Sequence, residues 1–223
     1  MEKATDREKK NKGCFLTFEG PEGSGKTTQV GLLAGLFRES GQTVVCTREP
    51  GGTSFGDSVR SLLLDHADEH LDAETELFLM LAQRNEHLRR VIYPALNRGE
   101  MVICDRYLDS SLAYQGFGRG LNPDFILSMH KNMLGNCLPD VTVLFDLDPA
   151  AGLERARHGG RKKLDRMENE ALEFHRRVRS GYLELAKQDP KRFMVIDASR
   201  NPEEIFETLK DQLKKRVSEI VRC

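Results

Sequence analysis

Apolar runs of four or five residues alternate along this chain with longer segments in which apolar residues recur every three or four positions. The short runs have the length and composition of buried strands and fall at residues 15–18, 43–46, 101–104, 141–145 and 193–196. The first helical pattern follows directly, because the apolar positions 30, 33, 34 and 37 have the spacing of a helix that buries one face. Later patterns predict helices at residues 57–65, 73–97, 123–134, 150–157 and 172–186, and an Asn-Pro-Glu cap at 201–203 predicts a terminal helix.

Strands that alternate with helices predict an α/β fold with a five-stranded parallel sheet flanked by helices. No linker or change of composition interrupts residues 13–223, so we expect a single domain there. Residues 1–12 mix opposite charges and lack an apolar period, so we expect a disordered N-terminal extension.

The loop after the first strand carries a phosphate-binding motif. Residues 20–27 match G-x-x-x-x-G-K-[ST], in which glycines let backbone amides approach a phosphate and the next helix points its N-terminus at the same anion. We expect Lys26 to contact the β- and γ-phosphates and the Thr27 hydroxyl to ligate Mg²⁺. A glycine-rich turn with a surface lysine is the weaker alternative, because strand, loop and helix occur in the required order. The predicted fold is therefore a P-loop NTPase fold, and the predicted ATP-binding residues are Gly20, Pro21, Glu22, Gly23, Ser24, Gly25, Lys26, Thr27 and Thr28.

Charged residues follow the second and third predicted strands. Ligands of open α/β sheets bind at the carboxyl ends of the strands, so Arg48 and Arg106 are placed to meet one anion, joined by Arg84 from the long helix. Each arginine taken alone is more often a solvated surface charge. We expect Asp105 to hold Mg²⁺ directly or through water; the alternatives are a partner for Arg106 or a helix cap.

Residues 156–166 are dense in positive charge around a Gly-Gly pair. A charged run is usually a solvated face. Between two helices of a phosphotransferase, however, it favours a short lid, at about residues 157–167, that closes over the triphosphate and excludes water.

The composition of the chain argues against nucleic acid and membranes as partners. With 39% hydrophobic residues, 31% charged residues and a net charge of −1, the chain has no overall field that would attract nucleic acid or a membrane surface. It contains no apolar stretch of about 18 residues and no secretory leader pattern. Five widely spaced cysteines favour free thiols, and Cys14, Cys46 and Cys104 adjoin apolar runs, so we expect them in the core. We expect a cytoplasmic protein that binds neither nucleic acid nor membranes.

Three longer motifs are similar to those of a known family. They are FEGPEGSGKTT at residues 18–28, TREPGGT at 47–53 and DRYLDSSLAYQG at 105–116, with smaller matches at 139–140 and 164–166. From about residue 13 to its end the chain resembles the bacterial thymidylate kinases. The resemblance implies the reaction ATP + dTMP → ADP + dTDP, Mg²⁺ as cofactor, and a homodimer packed through helices.

The resemblance also implies roles for individual residues. Arg48, Arg84 and Arg106 match positions that hold the acceptor phosphate, and Glu22 matches one that contacts the sugar 3′-hydroxyl. Ser110, Ser111 and Gln115 match residues near the thymine, and Tyr114 matches one that crowds the 2′ position. Members with an acidic residue at the position of Glu22 carry basic residues in the lid, which here correspond to Arg157, Arg161 and Arg166. The implied catalytic residues are Lys26, Arg48, Arg106, Arg161 and Arg166.

One position departs from the family. A phenylalanine usually stacks on thymine four residues before the arginine matched by Arg84, and here that position is Met80. Met80 and Arg84 share a helix face, so we expect Met80 to contact the base. Phe78 is rotated roughly 200° from Met80, and we expect it in the core.

Two other functions compete with this reading. A deoxynucleoside kinase would phosphorylate a 5′-hydroxyl and need a carboxylate base after the second strand, a role open to Glu49. A non-catalytic sensor or GTPase-type switch would not respond to dTMP, and the chain has no N-K-x-D motif for guanine.

Overall fold

The computed structural model describes residues 13–65, 71–158 and 165–221. Its strands are β1 (Phe15–Glu19), β2 (Val44–Arg48), β3 (Met101–Asp105), β4 (Val141–Asp146) and β5 (Phe193–Asp197). They form one parallel sheet in the order β2-β3-β1-β4-β5. The predicted five-stranded parallel α/β fold is confirmed. The predicted N-terminal extension lies outside the described residues.

Helices connect the strands and cover both faces of the sheet. Helix α6 has the bounds that the apolar spacing predicts, and Asn201 caps α9 by accepting a hydrogen bond from the Glu204 amide (2.8 Å). The described helices are α1 (Lys26–Glu39), α2 (Ser54–Leu64), α3 (Ala73–His87), α4 (Tyr93–Asn97), α5 (Leu108–Ser111), α6 (Pro123–Leu134), α7 (Pro149–His158), α8 (Leu172–Gln188) and α9 (Pro202–Val221). None of these described helices is long and apolar enough to cross a membrane.

The strand register places the candidate site at the carboxyl ends of the central strands. Asp105 at the end of β3 pairs with Phe18 of β1 on one side and with Arg48 of β2 on the other. The P-loop follows β1 directly, so it lies between the ends of β3 and β4 at the centre of the sheet. The crossover position beside a central strand is where such sheets bind ligands.

The core lies in two layers, one on each face of the sheet. On one face Phe18 and Ile103 pack with α1 and α9, and on the other Phe15 and Val102 pack with α3, α6 and α8. Cys14 and Cys104 are buried as predicted, but Cys46 is exposed and its predicted core position is wrong. The reason is that β2 is an edge strand, in which Val44 alone of the five residues is buried.

The long helical pattern at 73–97 differs from its prediction in two ways. It contains a π-helical segment, Leu88–Ile92, just before Pro94, which has no backbone N–H to donate. The second difference is Phe78, whose predicted core position is wrong because it is 55% exposed. Helix α3 turns Leu77 and Leu81 to the core, and Phe78, about 100° around the helix from Leu77, lies on its outward side.

Candidate active site

The P-loop forms a cradle of backbone amides. Gly20, Gly23 and Gly25 have φ values of 135°, 67° and 85°, which side chains other than glycine rarely allow. Gly23 is also fixed by close packing, since a Cβ there would lie 2.0 Å from the Gly152 carbonyl oxygen. Helix α1 begins at Lys26, so its unpaired amides face the same concavity.

Lys26 is buried at the base of this cradle. Its Nζ donates hydrogen bonds to the Gly20 carbonyl (3.0 Å), the Pro21 carbonyl (2.8 Å) and Ser24 Oγ (3.2 Å). Burial and the neighbouring Arg106 cation lower the pKa of Lys26 to about 8. A phosphate group would replace the carbonyl partners and favour the charged ammonium.

Thr27 and Asp105 form the predicted metal pair. Thr27 Oγ1 donates to Asp105 Oδ2 at 3.0 Å. Asp105 Oδ1 is buried and has no hydrogen-bond partner among the described residues. A hydroxyl and a carboxylate with one unused oxygen are hard oxygen ligands, and Mg²⁺ commonly takes one or two of these together with phosphates and waters. The pair therefore fits a magnesium ion.

A cavity of about 580 Å³ extends from the P-loop to α3. It brings together residues that lie more than 140 positions apart in sequence. The predicted site residues on its wall are Glu22, Gly23, Ser24, Gly25, Lys26, Thr27, Thr28, Arg48, Met80, Asp105, Arg106, Ser110, Tyr114, Gln115 and Arg166.

Arg106, Glu22 and Tyr114 form a polar cluster in this wall. Arg106 is ion-paired with Glu22, and the Tyr114 hydroxyl donates to the other Glu22 oxygen at 3.0 Å. The Arg106 guanidinium also lies 5.0 Å from the centre of the Tyr114 ring. Burial would raise the pKa of Glu22, but the Arg106 and Lys26 cations outweigh it and lower that pKa. Glu22 is thus an ionised acceptor that faces the cavity.

Arg106 has an unusual backbone. Its φ is 68°, in the left-handed region, which costs a residue with a side chain on the order of 1 kcal/mol. The side chain is held by the Gly20 carbonyl (3.0 Å) and the Tyr182 hydroxyl (3.2 Å). These contacts direct the guanidinium along the cavity wall.

Glu19, below this cluster, was not predicted from the sequence. It accepts hydrogen bonds from the Tyr107 amide (2.8 Å), Ser110 Oγ (2.6 Å) and the Tyr182 hydroxyl (3.1 Å). Burial and the neighbouring Asp109 raise the pKa of Glu19 to about 7. The only sequence signal was a carboxylate at the end of an otherwise apolar strand.

Arg84 and Ser111 lie behind the cavity wall. Arg84 is fully buried and donates to Glu49 Oε2 (2.7 Å), Ser111 Oγ (2.9 Å) and the Tyr107 carbonyl (3.0 Å). Its Nη1 is buried without a hydrogen-bond partner among the described residues, and Arg84 does not border the cavity. Burial would raise the pKa of Glu49, but Arg84 and His87 hold that pKa below its usual value.

Arg48 lies at the mouth of the cavity. Its side chain is largely exposed and is 3.2 Å from Asp57 at the start of α2. It is free to turn to an anion at the end of β2 because an exposed ion pair stabilises little.

The predicted lid is described only at its two ends. Arg161 lies outside the described residues, and Arg157 is exposed near the end of α7. Arg166 is buried and bonds Glu76 Oε1 (2.8 Å) and the Leu63 carbonyl (2.7 Å). In this conformation it fastens the C-terminal end of the lid to α2 and α3.

Glu76 was also not predicted from the sequence. It is buried and accepts hydrogen bonds from Gln115, Arg119 and Arg166. The sequence spacing could have pointed to Glu76 as a site residue. Glu76 precedes Met80 and Arg84 at four-residue intervals, so it shares their face of α3.

Comparison with known proteins assigns the family. The thymidylate kinase family model matches residues 18–209. A thymidylate kinase of Deinococcus radiodurans is 50% identical over 195 residues, covering 87% of this chain and 93% of that protein, and one of Desulfosudis oleivorans is 49% identical over 189 residues, covering 82% and 88%. A crystal structure of thymidylate kinase from Ehrlichia chaffeensis matches with a TM-score of 0.73 at 36% identity, covering 91% of this chain and 99% of that one. Because these matches span most of both partners, the chain belongs to the thymidylate kinase family.

Proposed function

We propose that this protein transfers the γ-phosphoryl group of ATP to dTMP, giving ADP and dTDP for dTTP synthesis. Family membership supports the reaction, and it agrees with the function implied by the sequence motifs. The observation that carries the proposal is the single cavity that joins a P-loop to the Arg106, Glu22 and Tyr114 cluster. One end suits a triphosphate and the other a nucleoside monophosphate.

On the donor side, the P-loop amides and the N-terminus of α1 surround the ATP phosphates, and Lys26 moves from its carbonyl partners to the β- and γ-phosphates. Thr27 and Asp105 would hold the Mg²⁺ ion. When bound, this ion neutralises charge on the transferring phosphoryl group.

On the acceptor side, Arg48 and Arg106 bind the dTMP phosphate as planar guanidinium groups suited to phosphate oxygens. Glu22 accepts a hydrogen bond from the 3′-hydroxyl, and the Tyr114 ring occupies the space that a 2′-hydroxyl would need. The residues proposed near the thymine are Met80, Ser110, Ser111 and Gln115, and Arg84 is proposed to join Arg48 and Arg106 at the acceptor phosphate.

The chemistry requires no general base. A phosphate monoester is already anionic at pH 7, so the protein has to align two polyanions and neutralise the charge between them. Arg84 and His87 hold the two oxygens of Glu49, so neither oxygen is free to take a proton from a 5′-hydroxyl, which disfavours a deoxynucleoside kinase. Arg161 and Arg166 are proposed to act on the transferring group when the lid closes.

A homodimer and a cytoplasmic location stay predictions. Phe78 on α3 and Met133 on α6 are 55% and 62% exposed, and apolar side chains on neighbouring helices support a helix-packed dimer. The free cysteines among the described residues, Cys14, Cys46, Cys104 and Cys137, support a reducing compartment.

A coupled assay of ADP release tests the proposed function. Purified protein with ATP and Mg²⁺ should release ADP rapidly with dTMP and only slowly with thymidine or with no acceptor. The Lys26→Ala variant is the control for a contaminating kinase. Release that is indifferent to dTMP would indicate a switch, and release driven by thymidine would indicate a nucleoside kinase.

A further inference from the structure

Glu76 is a buried carboxylate whose two oxygens are both saturated. Oε1 accepts from Arg119 Nη2 (2.9 Å) and Arg166 Nη1 (2.8 Å), while Oε2 accepts from Gln115 Nε2 (3.0 Å) and Arg119 Nε (3.3 Å). Glu76 is ion-paired with both guanidinium groups, and a carboxylate in such pairs can only accept hydrogen bonds. Every donor that faces Glu76 is therefore committed to it.

This geometry fixes the amide of Gln115. Since an ionised carboxylate only accepts, Gln115 must turn its NH₂ group towards Glu76 and its carbonyl Oε1 away from it. Within the described residues the amide makes this one hydrogen bond, and Gln115 borders the cavity. The amide thus keeps its carbonyl acceptor for a ligand, together with the second N–H of its NH₂ group.

An acceptor at this position selects the base of the nucleotide. Thymine has a hydrogen on N3 and can donate to a carbonyl oxygen, whereas the N3 of cytosine is itself an acceptor and would oppose it. A pocket built to hydrogen-bond one partner discriminates strongly, because the wrong partner leaves buried polar groups unpaired.

We propose that Glu76 is a positioning residue that sets the base specificity of the acceptor site by holding the Gln115 carbonyl towards the base. The inference rests on the proposed function, because it assumes that a pyrimidine monophosphate occupies this end of the cavity. Glu76 itself acts through Gln115 and does not touch the base. The same carboxylate binds Arg166, so the C-terminal end of the lid and the base-reading side chain share one anchor.

Glu76→Gln makes the sharpest test. The new side chain has the same shape, but its single carbonyl is needed by the two arginines, so its NH₂ group faces Gln115. Gln115 then turns over, accepts from residue 76 and presents its own NH₂ group to the cavity. This arrangement suits the N3 acceptor of cytosine.

The measurement is kcat/KM for dTMP and for dCMP, together with the melting temperature of each variant. We expect Glu76→Gln to lower the dTMP-to-dCMP ratio at least about tenfold, with dCMP activity rising in absolute terms. Glu76→Asp keeps the charge for both arginines but withdraws the carboxylate from Gln115, so it should lower the ratio in a folded protein. Glu74→Gln, an exposed position on the same helix, is the matched control and should leave the ratio unchanged.

A ratio equal to that of the wild type in folded Glu76→Gln would overturn the inference. If that variant does not fold, an unchanged ratio in Glu76→Asp would overturn it instead. A wild-type protein that phosphorylates neither nucleotide would refute the proposed function. A wild-type protein that prefers dTMP, with a preference that both substitutions leave unchanged, would refute only the role of Glu76.

Discussion

Met80 offers a quantitative test of how the acceptor site holds its base. The side chain is 6% exposed, packs with Val59 and Leu63, and reaches the cavity wall on the same face of α3 as Arg84. A thioether lying on an aromatic ring contributes about 0.3–1.5 kcal/mol. Stacking of a base on an aromatic side chain contributes about 1–3 kcal/mol.

The difference between the thioether contact and aromatic stacking predicts the outcome of two substitutions. Met80→Phe should gain roughly 1 kcal/mol, which lowers the KM for dTMP about fivefold with little change in kcat. Met80→Ala should lose the thioether contact and raise that KM about two- to tenfold. It should also destabilise the fold by about 2–5 kcal/mol, because it leaves a cavity beside Val59 and Leu63.

Steady-state kinetics at saturating ATP measure both values, and thermal melts report the fold of each variant. Phe78→Ala is the matched control, because Phe78 lies on the outward face of α3 and should leave the KM for dTMP unchanged. The reasoning is refuted if neither Met80 variant changes that KM while Phe78→Ala raises it in a folded protein.

Three further outcomes follow from the same site. Lys26→Ala should retain less than about a tenth of the wild-type kcat with an unchanged circular dichroism spectrum, because Lys26 neutralises phosphate charge; a higher residual kcat would contradict that role. Arg106→Ala should raise the KM for dTMP about tenfold or more and the KM for ATP much less, and an ATP KM that rises more would reverse the assignment. Burial and the neighbouring Asp109 raise the pKa of Glu19 from its usual 4.5 to about 7, so Glu19 favours the folded state at low pH and that stabilisation is lost as pH rises from 4.5 through 7. Urea unfolding at several pH values should show a steeper fall of stability in wild type than in Glu19→Gln, and parallel curves would contradict the raised pKa.

Much of the fold could be predicted because its signals are local. Each strand is a short apolar run, and the spacing of apolar residues gave the bounds of α6 to the residue. The P-loop could be recognised for the same reason, since its glycines, lysine and threonine are contiguous in sequence.

What could not be predicted depends on contacts between distant residues. Cys46 is exposed because β2 is an edge strand, and the order of strands is not encoded within any one of them. Phe78 was misplaced because α3 has apolar residues on more than one face, so its period does not say which face meets the sheet. Glu76 binds Gln115, Arg119 and Arg166, which follow it by 39, 43 and 90 residues, and no local pattern links them.

Direct identification of the phosphorylated product tests the central claim most directly. A single reaction containing ATP, Mg²⁺, dTMP and thymidine can be followed by phosphorus NMR and chromatography of the nucleosides. The account predicts that dTDP and ADP appear in equal amounts while thymidine remains unchanged. Conversion of thymidine to dTMP, or consumption of ATP without dTDP, would contradict it.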